Sequence, residues 1–369
     1  MDYFKKSKLM FWTVWLLVCA TLIFMSTKIE FIFQPLTTFV STLFTPIIVA
    51  GFLYYLLNPL IGQLEKIKIK RKYGIIIVFL LFLGVVVFLA ISVLPNLIEQ
   101  LGQLITSIPS FLKALENYSN EMLQKPMFAN FDLEQTLGKM DLSIENIANT
   151  VLTALTASVG SLVGALANTT VVIVTVPIIL FYMFKDGKHF RPSVAKFFPK
   201  EYRGQMIELL GQMNETIASY ISGQALVCLF VAVFTYLGYL ITGMPYGLLL
   251  GIIAGVTNII PYIGPYIGAA PAIIIALTIS PTQALLVALV VLVVQQIDGN
   301  FISPNVIGKT LSIHPLTIIV LLLVAGNIAG IIGMILGVPT YAVVKTVVVY
   351  LRDMFMIRKK HASTQKIID

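Results

Sequence analysis

The stretch TNIIPYIGPYIGAAP, residues 257–271, decides how the chain is read. It sets Pro261, Gly264, Pro265, Gly268 and Pro271 in an apolar region where Glu208 and Glu215 are the only charged residues between residue 204 and Asp298. A residue before proline is pushed out of the α region, and proline itself has no amide to donate. Repetition at 261, 265 and 271 therefore predicts two helical arms, about 245–258 and 270–280, that meet at a break. Lipid does not tolerate unbonded amides and carbonyls, so broken backbone at membrane depth must be covered by protein or line a cavity. The expectation is a discontinuous hairpin of the kind secondary transporters use, its irregular main chain near Ile263 sheltered in the bundle and open to a passing solute. A short surface loop with Tyr262 and Tyr266 at an interface is the competing reading.

Composition supports membrane depth. The 369 residues are 58% hydrophobic and 11% charged, against roughly a quarter charged in soluble domains. Apolar runs recur near the ~20 residues that cross a bilayer, which excludes a pair of soluble domains. The formal charge of +8 is not a nucleic-acid signature, because 19 of the 25 Lys and Arg fall in four places. These are Lys5 to Lys8, Lys66 to Lys72, Lys185 to Arg203, and Arg352 onward. They alternate with apolar segments so as to share one side, which the positive-inside rule makes cytoplasmic. No basic stripe interleaved with aromatics is present.

The rule gives an organisation. Residues 1–94 hold three transmembrane helices; residues 95–150 form an extracytoplasmic amphipathic helical segment in which Leu97, Ile98, Leu101, Leu104, Ile105 and Ile108 keep helical spacing. Residues 151–203 bring the fourth crossing, with Pro177 as a possible kink, and a basic cytoplasmic loop. Residues 204–351 form the transport region: an amphipathic stretch at 204–222, a crossing to about 242, and two hairpin-like segments. Residues 352–369 are a basic tail, so both termini are cytoplasmic. Cys19 and Cys228 lie in apolar runs, and His189, His314 and His361 are scattered, so no disulfide framework, metal site or cofactor site is indicated.

The second hairpin-like segment, 316–345, repeats the first in outline. Pro245, Asn258 and Pro271 in one match Pro315, Asn327 and Pro339 in the other, and loop counting gives the pair opposite sidedness. Pro271, Pro304, Pro315 and Pro339 are the expected breaks or hinges. Gly243, Gly247, Gly251 and Gly255 recur every four residues, and Gly326, Gly330, Gly333 and Gly337 at four, three and four. Such stripes let another backbone approach, either as fixed packing or as a face that slides.

Between the hairpins, QQIDGN at 295–300 holds Asp298 among Gln295, Gln296 and Asn300. An ionisable group at the bilayer centre costs about 2.5–3.5 kcal/mol on insertion scales, so it usually faces a cavity and acts on ions, protons or substrate. The alternative is a solvated helix end at the cytoplasmic interface. Lys309 is a candidate ion partner, and His314 is either a group titrating near neutral pH or a helix starter. With Gln224, Asn258, Pro261, Gly264, Pro265, Gly268 and Asn327, these residues make the expected substrate or ion pathway.

NIIPYIGPYIGAAP, taken with Asp298, Pro304, Gly308, His314 to Pro315, Gly326, Gly330, Gly333, Pro339 and YISGQ at 220–224, resembles the AI-2E transporter family, the autoinducer-2 exporter-like permeases. One departure is Gly299, which separates Asp298 from Asn300. The resemblance implies an all-α, polytopic bacterial inner or plasma membrane protein of about eight transmembrane helices, with one or two broken or re-entrant hairpins, assembled as a homo-oligomer. It also implies either export of a small polar solute such as the autoinducer-2 furanone, ion-coupled, or sodium (lithium)/proton antiport. An intramembrane protease is disfavoured, since HExxH, GxGD and GxSG are all missing from the sequence.

Overall fold

The computed structural model describes residues 8–28, 30–123, 170–306 and 313–368. The described residues are helical with short turns and no strand. The helices are α1 (Lys8–Lys28), α2 (Glu30–Lys66), α3 (Arg71–Ser92), α4 (Leu94–Leu123), α5 (Thr170–Ala195), α6 (Arg203–Ile241), α7 (Gly247–Thr257), α8 (Gly264–Ile279), α9 (Pro281–Ile297), α10 (Ser303–Val306) and α11 (Pro315–Ile368). Five stretches are long and apolar enough to cross a membrane, and shorter apolar helices accompany them, as a polytopic membrane protein requires. Large apolar side chains such as Leu80, Phe88, Leu229 and Leu292 face outward, which in lipid carries no penalty.

One helix organises the bundle. At ~1.5 Å per residue, the 39 residues of α6 span about 58 Å, and buried clusters are distributed along it. Val227 and Val231 pack with Ala254 of α7 and Val294 of α9, while Tyr239 joins Leu249, Leu250, Ala272, Ala276 and Val287. Leu104 of α4 enters that second cluster, with Leu97 and Leu101 packed against it. Of the apolar residues read there, Leu97, Leu101 and Leu104 form the face by which α4 docks on the bundle, whereas Ile98 is exposed. Gln100 Oε1 accepts from the Leu249 amide at 3.2 Å, adding a polar tie. A separate cluster joins α2, α3 and α5 through Ile61, Val78, Leu180 and Phe184.

Both hairpins are present. The arms α7 and α8 run antiparallel around a turn at 258–263: a Cβ on Gly268 would lie 2.7 Å from the Ala254 Cα, and one on Gly264 would strike the Thr257 carbonyl. In α11, Gly330 at φ 59°, ψ −142° and Ala329 at φ −136° break the helix into arms 315–328 and 331–368. A Cβ on Gly337 would come within 3.2 Å of the Ala325 Cβ. Residues twelve apart in a straight helix stand about 18 Å apart, so the chain folds back on itself.

Several expectations are corrected. The second arm of the first hairpin starts at Gly264 rather than near 270, because Pro265 sits in the first turn, where a missing amide costs nothing. Pro271 and Pro339 lie inside helices and are not breaks. Pro304 and Pro315 stand in the first turn of α10 and α11. The basic stretch expected as a loop at 185–203 is helical as far as Ala195. The stretch at 204–222 and the crossing that follows are one helix. Of the extracytoplasmic segment and the fourth crossing, residues 124–169 lie outside the described residues, as do Gly308 and Lys309.

Candidate functional site

The buried polar side chains among the described residues are Gln224, Thr235, Asn258 and Asp298. Three of them meet at the tip of the first hairpin. Gln224, near the middle of α6, donates Nε2 to the Asn258 carbonyl at 2.7 Å. That carbonyl belongs to the last turn of α7, where helical partners run out. Asn258 in turn places its side chain close to Asp298. Asp298 is only 7% exposed, and Ser303 Oγ donates to its Oδ1 at 2.8 Å.

Local sequence explains the placement. Asp298 opens a five-residue π turn, Asp298–Ile302, between α9 and α10. Widened turns of this kind re-aim side chains and gather at functional sites. Here the turn lets Ser303, five residues on, reach back to the carboxylate. None of the ion pairs among the described residues involves Asp298; Lys309, its expected partner, lies outside those residues.

The tip is sheltered in part: Asn258, Ile260 and Gly264 are buried, whereas Tyr262, at φ 63°, is 46% exposed. Ile260 and its neighbours Ile259 and Ile263 pack with Tyr220, Ile221, Leu322 and Val338, which joins the first hairpin to α6 and to both arms of the second. The main chain of the turn is largely bonded. The amides of Ile259, Ile260, Ile263 and Gly264 already bond to carbonyls of residues 256, 257, 261 and 260. Of the turn's amides that of Tyr262 is left without a backbone partner among the described residues, so the turn offers a solute mainly side chains.

The other expected residues separate. Gln295 and Pro265 border a hollow of about 10 Å³ with Thr235 and Tyr239, room for roughly one water; the Tyr239 hydroxyl is buried there without a hydrogen-bond partner. Gln296 and Asn300 are exposed and bond to each other, Asn300 Nδ2 to Gln296 Oε1 at 2.9 Å. Asn327 is exposed near the second turn and does not join the cluster. Gly264 and Gly268 act through close helix approach. The His314 Nδ1 accepts from the Leu316 amide at 3.3 Å, the geometry of a helix starter.

Sequence reasoning missed Ser303, Tyr220 and the far hollow. A larger cavity of about 410 Å³ lies between α6 and the second arm of α11, lined by Gln212, Glu215, Thr216, Ser219, Lys345 and Thr346. Thr216, Tyr220 and Gln224 are spaced by four on α6, so they share one face. The buried Tyr220 thus stands between the cavity and the polar cluster. Spacing on α6 was the available signal.

A family model described as "AI-2E family transporter" matches residues 12–353. "Putative transport protein YueF" of Bacillus subtilis is 42% identical over 343 residues, covering 92% of each chain. A second Bacillus subtilis protein, "Putative transport protein YrrI", is 31% identical over 94% of this chain and 97% of its own. "Putative permease PerM" of Escherichia coli is 32% identical over 84% of this chain and 88% of its own.

Proposed function

The chain belongs to the AI-2E transporter family, and from that premise we propose that it is a secondary transporter moving a small polar solute, such as the autoinducer-2 furanone, past the tip of its first hairpin. The observation that carries this reading is the buried Asp298, which accepts from Ser303, lies beside Asn258 and makes no ion pair among the described residues. A buried carboxylate without a counter-charge is costly, and such groups in membrane segments are usually functional. In this reading Asp298 binds the coupling proton or sodium ion, while Gln224 and Asn258 supply donors and acceptors for hydroxyl groups. The 410 Å³ cavity beside the N-terminal half of α6 is the vestibule, and Tyr220 closes it from the site. The protein resides in a bacterial plasma (inner) membrane as a homo-oligomer, with both termini in the cytoplasm.

A second reading is sodium (lithium)/proton antiport. The same feature favours it, since a lone carboxylate among neutral oxygens is a ligand set for a partly dehydrated monovalent cation. Purified protein in proteoliposomes separates the two. Uptake of labelled furanone that an ion gradient accelerates supports solute export; sodium-driven proton movement without organic solute supports antiport. Neither activity from well-folded protein overturns both.

A further inference from the structure

Where α2, α3, α5 and α6 come together, a second polar site lies outside the transport reading. Its carboxylate is Glu65, with Arg71 Nη1 at 3.5 Å and Lys188 Nζ at 3.4 Å. Arg71 also donates Nη2 to Asn58 Oδ1 at 3.4 Å and to the Phe184 carbonyl at 3.2 Å, while its Nε is buried without a partner. A third cation, Arg191, is partly buried and lies within electrostatic reach of Tyr54 and Tyr55. Two glycines make the room. A Cβ on Gly211 would lie 3.1 Å from Arg191 Nη1, and one on Gly187 would lie 2.9 Å from the Tyr54 hydroxyl.

Glu65 is already engaged by Arg71 and Lys188. Among the described residues Arg191 has no carboxylate or hydrogen-bond partner, and Asp186, exposed on the same helix, is ion-paired with none of the three. A partly desolvated guanidinium is unfavourable without a counter-charge. Its planar fork matches the oxygens of a phosphate. The site also lies beside apolar spans: Leu56, Leu60, Ile76 and Ile77, on the helices that carry Tyr54 and Arg71, are exposed. An amphiphile can place its headgroup on the cations and its chains on these side chains, which a soluble anion cannot do.

We infer that Arg191, with Arg71 and the Tyr54 hydroxyl, binds the phosphate of an anionic phospholipid headgroup between α2, α3, α5 and α6. Basic pockets between membrane helices take such headgroups. The bound lipid ties α5 to α2 and α6, so its effect is read in stability.

The test places the full chain in nanodiscs of phosphatidylcholine, alone or with phosphatidylglycerol. Wild type and the exposed-charge control Lys200→Gln should gain thermal stability with phosphatidylglycerol, and Arg191→Gln should lose at least half of that gain. Free inorganic phosphate added to phosphatidylcholine discs should leave Tm unchanged. Should Arg191→Gln fail to fold, Arg191→Lys keeps the charge but not the fork, and mass spectrometry should count fewer retained phosphatidylglycerol molecules than on wild type. The proposal is overturned by a full lipid gain in Arg191→Gln, by equal retention on Arg191→Lys, by no gain in wild type, or by inorganic phosphate reproducing the gain.

Discussion

The first hairpin turns over residues 258–263 and keeps Asn258, Ile260 and Gly264 buried, whereas the second turns on Ala329 and Gly330 and leaves both exposed. The first is held by groups from elsewhere: Gln224 of α6 bonds to its last helical carbonyl, and Asp298 approaches its asparagine. The second is held by its own arms, with Gly333 and Gly337 against Ala325 and Gly326 against Met334. Broken backbone alone therefore does not make a site. What separates the two is polar side chains delivered by other helices to the break.

The largest expected effect that can break this comparison is Gly255→Val. A Cβ there already lies 2.5 Å from the Ala232 Cβ and 2.8 Å from the Cys228 carbonyl, so α7 must lift from α6 at a cost of about 3 kcal/mol. Gly326→Ala in the second hairpin meets only the Met334 side chain, at 3.1 Å, and should cost under ~1 kcal/mol. Thermal unfolding in detergent checks the pair, and equal losses would erase the distinction. Next comes Gln224→Ala, which strands the buried Asn258 carbonyl and should cost about 2 kcal/mol; an unchanged Tm would mean that carbonyl needs no partner. Gly330→Ala forces a side chain into a left-handed conformation at φ 59° and should cost about 1–2 kcal/mol, lowering Tm without altering solute affinity. Smallest is Gln296→Ala, whose exposed bond to Asn300 should be worth less than about 0.5 kcal/mol. A large transport defect there would extend the site to the exposed side of α9.

Much of the plan was legible in the sequence. Pro261, Gly264 and Pro265 specify a turn because each acts through its own backbone, and the glycines at 247, 251 and 255 specify close packing because they need only a neighbouring helix. Asp298 was legible as the lone acid in an apolar stretch. Its partners were less so. Gln296 and Asn300 flank it in sequence, yet a π turn sends Asp298 inward and leaves those amides outside, while Ser303 comes within reach. That widened turn depends on tertiary packing, and composition carries no mark of it. Pro271 and Pro339 misled for a related reason. An interior proline kinks a helix without always ending it, and both lie inside helices here.

The most direct test of the central claim is driven flux through Asp298→Asn in proteoliposomes, at protein density and Tm matched to wild type. Removing the one carboxylate that faces the first hairpin's tip should lower coupled flux at least about tenfold, or ~1.4 kcal/mol, with the fold intact. Undiminished flux would contradict the account, because transport would then run without the group that distinguishes one hairpin from the other.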